Sequence, residues 1–152
     1  MAHDRGALTR HQAEAVELLR NWDQLGTDPG GRARAAVALH NWYTGLESLF
    51  ERVLRHIDQE VPKGDTSHRD ILFQAAGELP GVRPFVVSPA AIDDLLELMA
   101  FRHFFRHAYA VYFDSSRLGA LLRRLVEVTP AVDAGLEAFD TFLQQVLNQA
   151  GS

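Results

Sequence analysis

The chain has 152 residues, 47% hydrophobic and 23% charged, which is enough to fill one hydrophobic core and does not predict disorder. It has no cysteine, which rules out disulfides, thiolate metal sites and a thiol nucleophile, and its net charge of −5 argues against binding nucleic acid through general electropositivity. No apolar run approaches the roughly 18 residues of a membrane helix, and residues 1–10 lack the apolar stretch of a signal peptide, so the expectation is one cytoplasmic domain over residues 1–152.

In chain order, residues 8–25 carry Ala15, Leu18, Leu19 and Trp22 on a helical stripe that Gly26 and the turn Asp28-Pro29-Gly30-Gly31 bring to an end. A long second helix is predicted over 32–61, where Leu39, Trp42, Tyr43, Leu46, Leu49, Phe50, Val53, Leu54 and Ile57 recur every three or four residues until Pro62-Lys63-Gly64 stops it. A short helix over 68–76 follows, then a loop marked by Gly77, Pro80, Gly81 and Pro84. Ser88-Pro89, a cap followed by proline at the first helical position, opens a helix from 89 to about 111. Asp114-Ser115-Ser116 caps a helix to 128, and Thr129-Pro130 repeats the cap-then-proline signal for a last helix to about 149. The fold class is therefore all-α: an antiparallel bundle of four long helices plus short ones.

The chemistry concentrates in Arg102-His103-Phe104-Phe105-Arg106-His107, with Tyr109 one residue further on. Residues 101–126 hold five arginines against the single acid Asp114, a local charge of +4 in an acidic chain. At about 100° per residue, Phe101, Phe104, Phe105, Ala108, Val111 and Tyr112 fall on one arc, the expected core face. Arg102, His103, Arg106, His107 and Tyr109 fall on the opposite arc and are expected to point away from the core. Leu95, Leu96 and Met99 share that outward sector one or two turns upstream, which favours a homodimer contact beside the polar face. Arg102 and His107 lie about 140° apart and about 7.5 Å along the helix, so a two-fold axis near this helix would let both chains line one cleft.

Arginine beside histidine suits phosphodiester cleavage without a metal. Histidine takes the proton of a ribose 2′-hydroxyl or gives one to the leaving oxygen, and arginine holds the charge developing on the phosphate. A zinc site on His103 and His107 is not expected, because the intervening residues supply no glutamate base, and no close acidic cluster accompanies the basic residues; neither metal nor cofactor is expected. Arg102 and Arg106, taken singly, also read as solvated charges or salt-bridge partners on a helix face, and His40, His56 and the N-terminal histidines as surface or capping groups. Glu47 and Glu51 follow Tyr43 at four-residue steps, either aiming a carboxylate at the Arg/His face or forming an exposed acidic stripe. His68 and Arg69 either add to the cleft or cap a short helix.

The spacing Arg102-x4-His107-x-Tyr109 resembles the Arg-x4-His-x-Tyr motif of HepT-like toxins in the HEPN superfamily of helical ribonucleases. Leu39 to Arg52, Ser67 to Leu72 and Phe101 to Tyr109 resemble that group in the same order, covering most of residues 33–142. The resemblance implies a HEPN-like bundle acting as a homodimeric, metal-independent endoribonuclease toxin on RNA, plausibly tRNA, with Arg102 and His107 catalytic. It also implies a cognate nucleotidyltransferase antitoxin of the MntA type that silences the toxin by attaching AMP to Tyr109, with His103 and Arg106 making supporting substrate contacts. Two alternatives stay open: a HEPN-like binding subunit or scaffold for a nucleotidyltransferase that cleaves nothing, and a purely structural helical dimer.

Overall fold

Three short polar side chains set where helices begin. Asp28 accepts a hydrogen bond from the Gly31 amide at 3.1 Å, Ser88 from Ala90 at 3.2 Å and Asp114 from Ser116 at 3.1 Å, each holding an amide that the first helical turn leaves free. The structure, a computed structural model, describes residues 2–107 and 113–152, with Ala2, Arg106 and His107 described by backbone alone. The helices are α1 (Ala2–Arg20), α2 (Trp22–Leu25), α3 (Pro29–Val53), α4 (Ser67–Ala75), α5 (Ile92–His107) and α6 (Ser115–Ala150), with a π-helical turn Leu54–Asp58 extending α3 and a 3-10 turn Pro89–Ala91 leading into α5. Among the described residues there is no strand, and no helix is long and apolar enough to cross a membrane.

The four long helices are α1, α3, α5 and α6. The residues that pair between them fix their directions. Asp4 meets Arg52 and Glu14 meets Arg34, both at 2.8 Å, so α1 runs against α3. Arg5 meets Asp140 at 2.6 Å and Gln12 meets Asp133 at 3.3 Å, so α6 runs against α1. Thr44 and His40 of α3 meet Arg102 and Phe105 of α5 in reversed order. Between them lies one apolar cluster with Trp42, Phe50, Phe101 and Phe139 at its largest positions and Leu8, Ala15 and Leu18 of α1 included.

Several local expectations are corrected. Asp28-Pro29 is the cap and first residue of α3 rather than the tail of the preceding turn, because proline lacks the amide that the first turn leaves unused. The first helix begins at Ala2 and breaks at Asn21, and α3 gives way to the π turn, which ends at Gln59 in the left-handed region (φ 60°) before Pro62 is reached. Pro130 does not divide the last segment: α6 runs through it unbroken. Proline inside a helix costs about 3 kcal/mol, but Leu125, Val128, Val132 and Leu136 are buried on either side, each contributing about 1.5–3 kcal/mol. The Pro130 ring sits on the exposed side, and the Thr129 hydroxyl donates to the Leu125 carbonyl at 2.8 Å.

The wheel for α5 is turned relative to expectation. Leu95, Leu98, Phe101 and also Arg102 face the core, whereas Phe104 is 42% exposed. Leu96 and Met99 are half-buried against the same cluster. The apolar sector proposed for a dimer contact is thus largely covered by the chain's own helices, which removes that argument for a dimer. At Gly119 and Gly135, both on α6, the helix closes on a neighbour only because a side chain is missing. A Cβ on Gly119 would lie 2.6 Å from the Trp22 indole nitrogen, and one on Gly135 would lie 2.9 Å from the Val86 carbonyl oxygen.

Beneath α4, Arg83 is fully buried and uses all its donors. Nε and Nη2 reach the two Asp58 oxygens at 2.6 and 2.8 Å, Nη1 reaches the Gly77 and Pro84 carbonyls, and Nη2 reaches that of Gln74. The Gln74 side chain returns a bond to Asp58 at 2.8 Å. This network ties the end of the π turn to α4 and the loop after it.

Candidate functional site

The site forms where α3, α4 and α5 meet. Thr44 and Glu47, three residues apart on α3, present their side chains on one helix face. His68 stands at the start of α4, and Arg102 lies five residues before the end of α5. The Arg102 Nε donates to the Thr44 hydroxyl at 3.0 Å, and its Nη1 lies 3.5 Å from Glu47 Oε2. Both Glu47 oxygens contact His68 Nδ1, at 2.9 and 2.8 Å. Arg102 Nη1 is 3.2 Å from that same nitrogen.

Burial decides the electrostatics. Arg102 is only 7% exposed, so its charge depends on Glu47, itself buried, for compensation. The His68 side chain, by contrast, is 40% exposed. The Tyr43 hydroxyl, one turn before Glu47, is buried without a hydrogen-bond partner among the described residues. Burial and then the Glu47 carboxylate push its phenol well above the ordinary tyrosine range, with Arg102 pulling the other way.

Over this cluster opens a cavity of about 370 Å³ lined by Asp65, Thr66, His68, Arg69, Met99, Ala100, Arg102 and His103. It has the size of a small-ligand or single-nucleotide site, and its floor is a fixed cation in a poorly hydrated setting, where charge interactions are stronger than in water. Arg69 stands at the rim with its guanidinium over the Phe73 ring, 5.4 Å from the centroid. Among the described residues no three His, Asp or Glu side chains gather as a metal site would.

Of the residues singled out from sequence, the structure brings Arg102 and His103 to the cavity, Arg102 from beneath and His103 from an exposed position. The side chains of Arg106 and His107 lie outside the described residues, as does all of Tyr109. Of the open alternatives, His68 and Arg69 line the cavity, and Glu47 is no exposed stripe but buried against His68 and Arg102; Glu51 is half-buried and outside the cavity. His40 is not the surface group expected: it is half-buried with its ring 4.9 Å from that of Phe105. Thr44 went unnoticed, since a lone threonine within a helix carries no signal of its own.

These features define an all-α protein with a cavity between α4 and α5 that has Arg102 in its lining. Residues 34–143 match the family model described as HepT-like protein, nearly three quarters of the chain, and the chain belongs to that family, a nuclease-like HEPN group associated with toxin–antitoxin systems. Comparison with the curated proteins and with the solved structures gives no match.

Proposed function

We propose that the protein is the toxin of a toxin–antitoxin pair, a metal-independent endoribonuclease that cuts RNA, with tRNA as its substrate class, in the cytoplasm. The observation that carries this reading is the buried Arg102 guanidinium, oriented by Thr44 and paired with Glu47 at the floor of a cavity rimmed by His68, Arg69 and His103. A guanidinium fixed at the edge of such a cavity is suited to holding an anion. In this reading Arg102 stabilises the phosphate oxygens and His107 transfers a proton, with the ribose 2′-hydroxyl as the nucleophile. His103 and Arg106 contact the substrate. Two copies of the chain form the active dimer, and a cognate nucleotidyltransferase silences it by attaching AMP to Tyr109, whose added phosphate the neighbouring arginines would hold.

One observation favours a second reading, a binding subunit that does not cleave: Glu47 already takes up part of the Arg102 charge. Expressing the wild type beside His107→Ala separates the two. Growth arrest and RNA fragments ending in a 2′,3′-cyclic phosphate, formed in the presence of a chelator and lost with the substitution, support the nuclease. Intact RNA in both cultures sinks it.

A further inference from the structure

Resting on the ribonuclease reading, we infer that His68, oriented by Glu47, is a second catalytic histidine, the base that takes the proton of the ribose 2′-hydroxyl. Both Glu47 oxygens lie within 2.9 Å of His68 Nδ1. A bare lone pair on Nδ1 would face two carboxylate oxygens, so this nitrogen carries the hydrogen and donates it to Glu47. In the neutral ring the basic lone pair then sits on Nε2, for which no hydrogen-bond partner is found among the described residues. Arg102 has no acceptor to offer Nδ1 at 3.2 Å, so the two groups share Glu47 Oε2 rather than bonding to each other.

Burial points the same way. The Glu47 side chain is 5% exposed while that of His68 is 40% exposed and lines the cavity. A surface histidine–glutamate pair placed for stability gains little, and a pair placed for packing would bury the ring as well. Here the acid is inside, the ring edge opens onto the cavity, and the phosphate-binding cation is within contact distance. That is the arrangement by which a carboxylate fixes an imidazole as a base and stabilises the imidazolium it becomes.

Nε2 of His68 takes the 2′-hydroxyl proton as the 2′-oxygen bonds to phosphorus, Arg102 holds the non-bridging oxygens, and the P–O5′ bond breaks. The departing 5′-oxygen receives its proton from the His107 imidazolium. The products are a 2′,3′-cyclic phosphate and a 5′-hydroxyl, and water returns both histidines to their starting states. His107 comes from the motif itself, and His68 joins it from 39 residues earlier in the chain.

The full-length protein tests this with two substrates: the RNA that the wild type cleaves, and uridine 3′-(4-nitrophenyl phosphate), whose leaving group departs without a proton. His68→Asn keeps an N–H facing Glu47 and removes Nε2; His68→Gln serves as a second variant should the first fold poorly. We expect His68→Asn to cleave RNA about 10²- to 10⁴-fold more slowly and to lose as much on the nitrophenyl ester. His107→Ala, lacking the acid, should regain most of its loss on that ester. The assignment is overturned if His68→Asn cuts RNA about as fast as the wild type, or if the ester rescues it as it rescues His107→Ala. A wild type that leaves RNA uncut overturns the ribonuclease reading itself and this assignment with it, a result seen without any variant.

Discussion

Replacing Asp58 by alanine removes the carboxylate that neutralises Arg83, and the cost can be worked from the structure. The two side chains are 2% and 0% exposed, so solvent does not take over the lost interaction. Two of the five guanidinium N–H groups, those 2.6 and 2.8 Å from Asp58, lose their acceptors. At about 1.5–3 kcal/mol for each bond to a charged group the loss is about 3–6 kcal/mol, in agreement with about 3–5 kcal/mol for breaking a buried pair by removing one partner. For a chain of this length that is a fall in Tm of about 6–20 °C. Asp58→Ala combined with Arg83→Leu should recover much of it, because no buried cation remains.

The acid dependence has a definite sign. Burial alone would raise the Asp58 pKa, but hydrogen bonds from Arg83 and Gln74 and the Arg83 charge outweigh it and hold the carboxyl below its usual range. A depressed folded pKa contributes stability that is complete above the unfolded value, near 3.9, and disappears as pH falls through the folded value. Urea unfolding followed by helical circular dichroism should therefore show the wild type–variant gap at full size between about pH 5 and 7 and narrowing below about pH 4. A gap under about 1 kcal/mol at pH 7, or one that does not shrink in acid, refutes the reasoning. Because Gln74 bonds Asp58 from the helix that carries His68, RNA cleavage should weaken in the variant even where it remains folded.

Tyr43→Phe removes a buried hydroxyl that has no partner among the described residues and should raise stability by up to about 1 kcal/mol at pH 7. Since the folded phenol is raised, wild-type stability falls as pH climbs above about 10, so the advantage of Tyr43→Phe should grow there in the same urea experiment. Gly119→Ala drives a methyl into the Trp22 indole and breaks its bond to the Ser115 carbonyl, costing about 1–3 kcal/mol and shifting tryptophan fluorescence to the red; an unchanged spectrum and Tm would count against that packing. Thr44→Val deletes the acceptor for Arg102 Nε with little change in shape, and single-turnover RNA cleavage should drop about 10-fold or more. Equal rates would show that Arg102 needs no orientation from α3.

The sequence alone determined what local chemistry governs: the all-α class, the Ser88 and Asp114 caps, the four long helices, and the basic island at residues 102–107 whose spacing resembles the HepT-like family. Caps and periodicity act within a turn or two of chain, so they are legible from a single segment. Where a local signal met tertiary packing it lost, as at Pro130, where apolar burial on both sides outweighed one missing amide. The direction of α5 was decided only by the fold. With Leu95, Leu96, Leu98, Met99, Phe101, Phe104 and Phe105 spread around it, this helix has two apolar arcs, and its neighbours α3 and α6 select which one turns inward. That choice buries Arg102 and brings it to Glu47 and His68, side chains 55 and 34 residues away. No periodicity encodes such a meeting, because it depends on how three helices cross rather than on how any one of them is written.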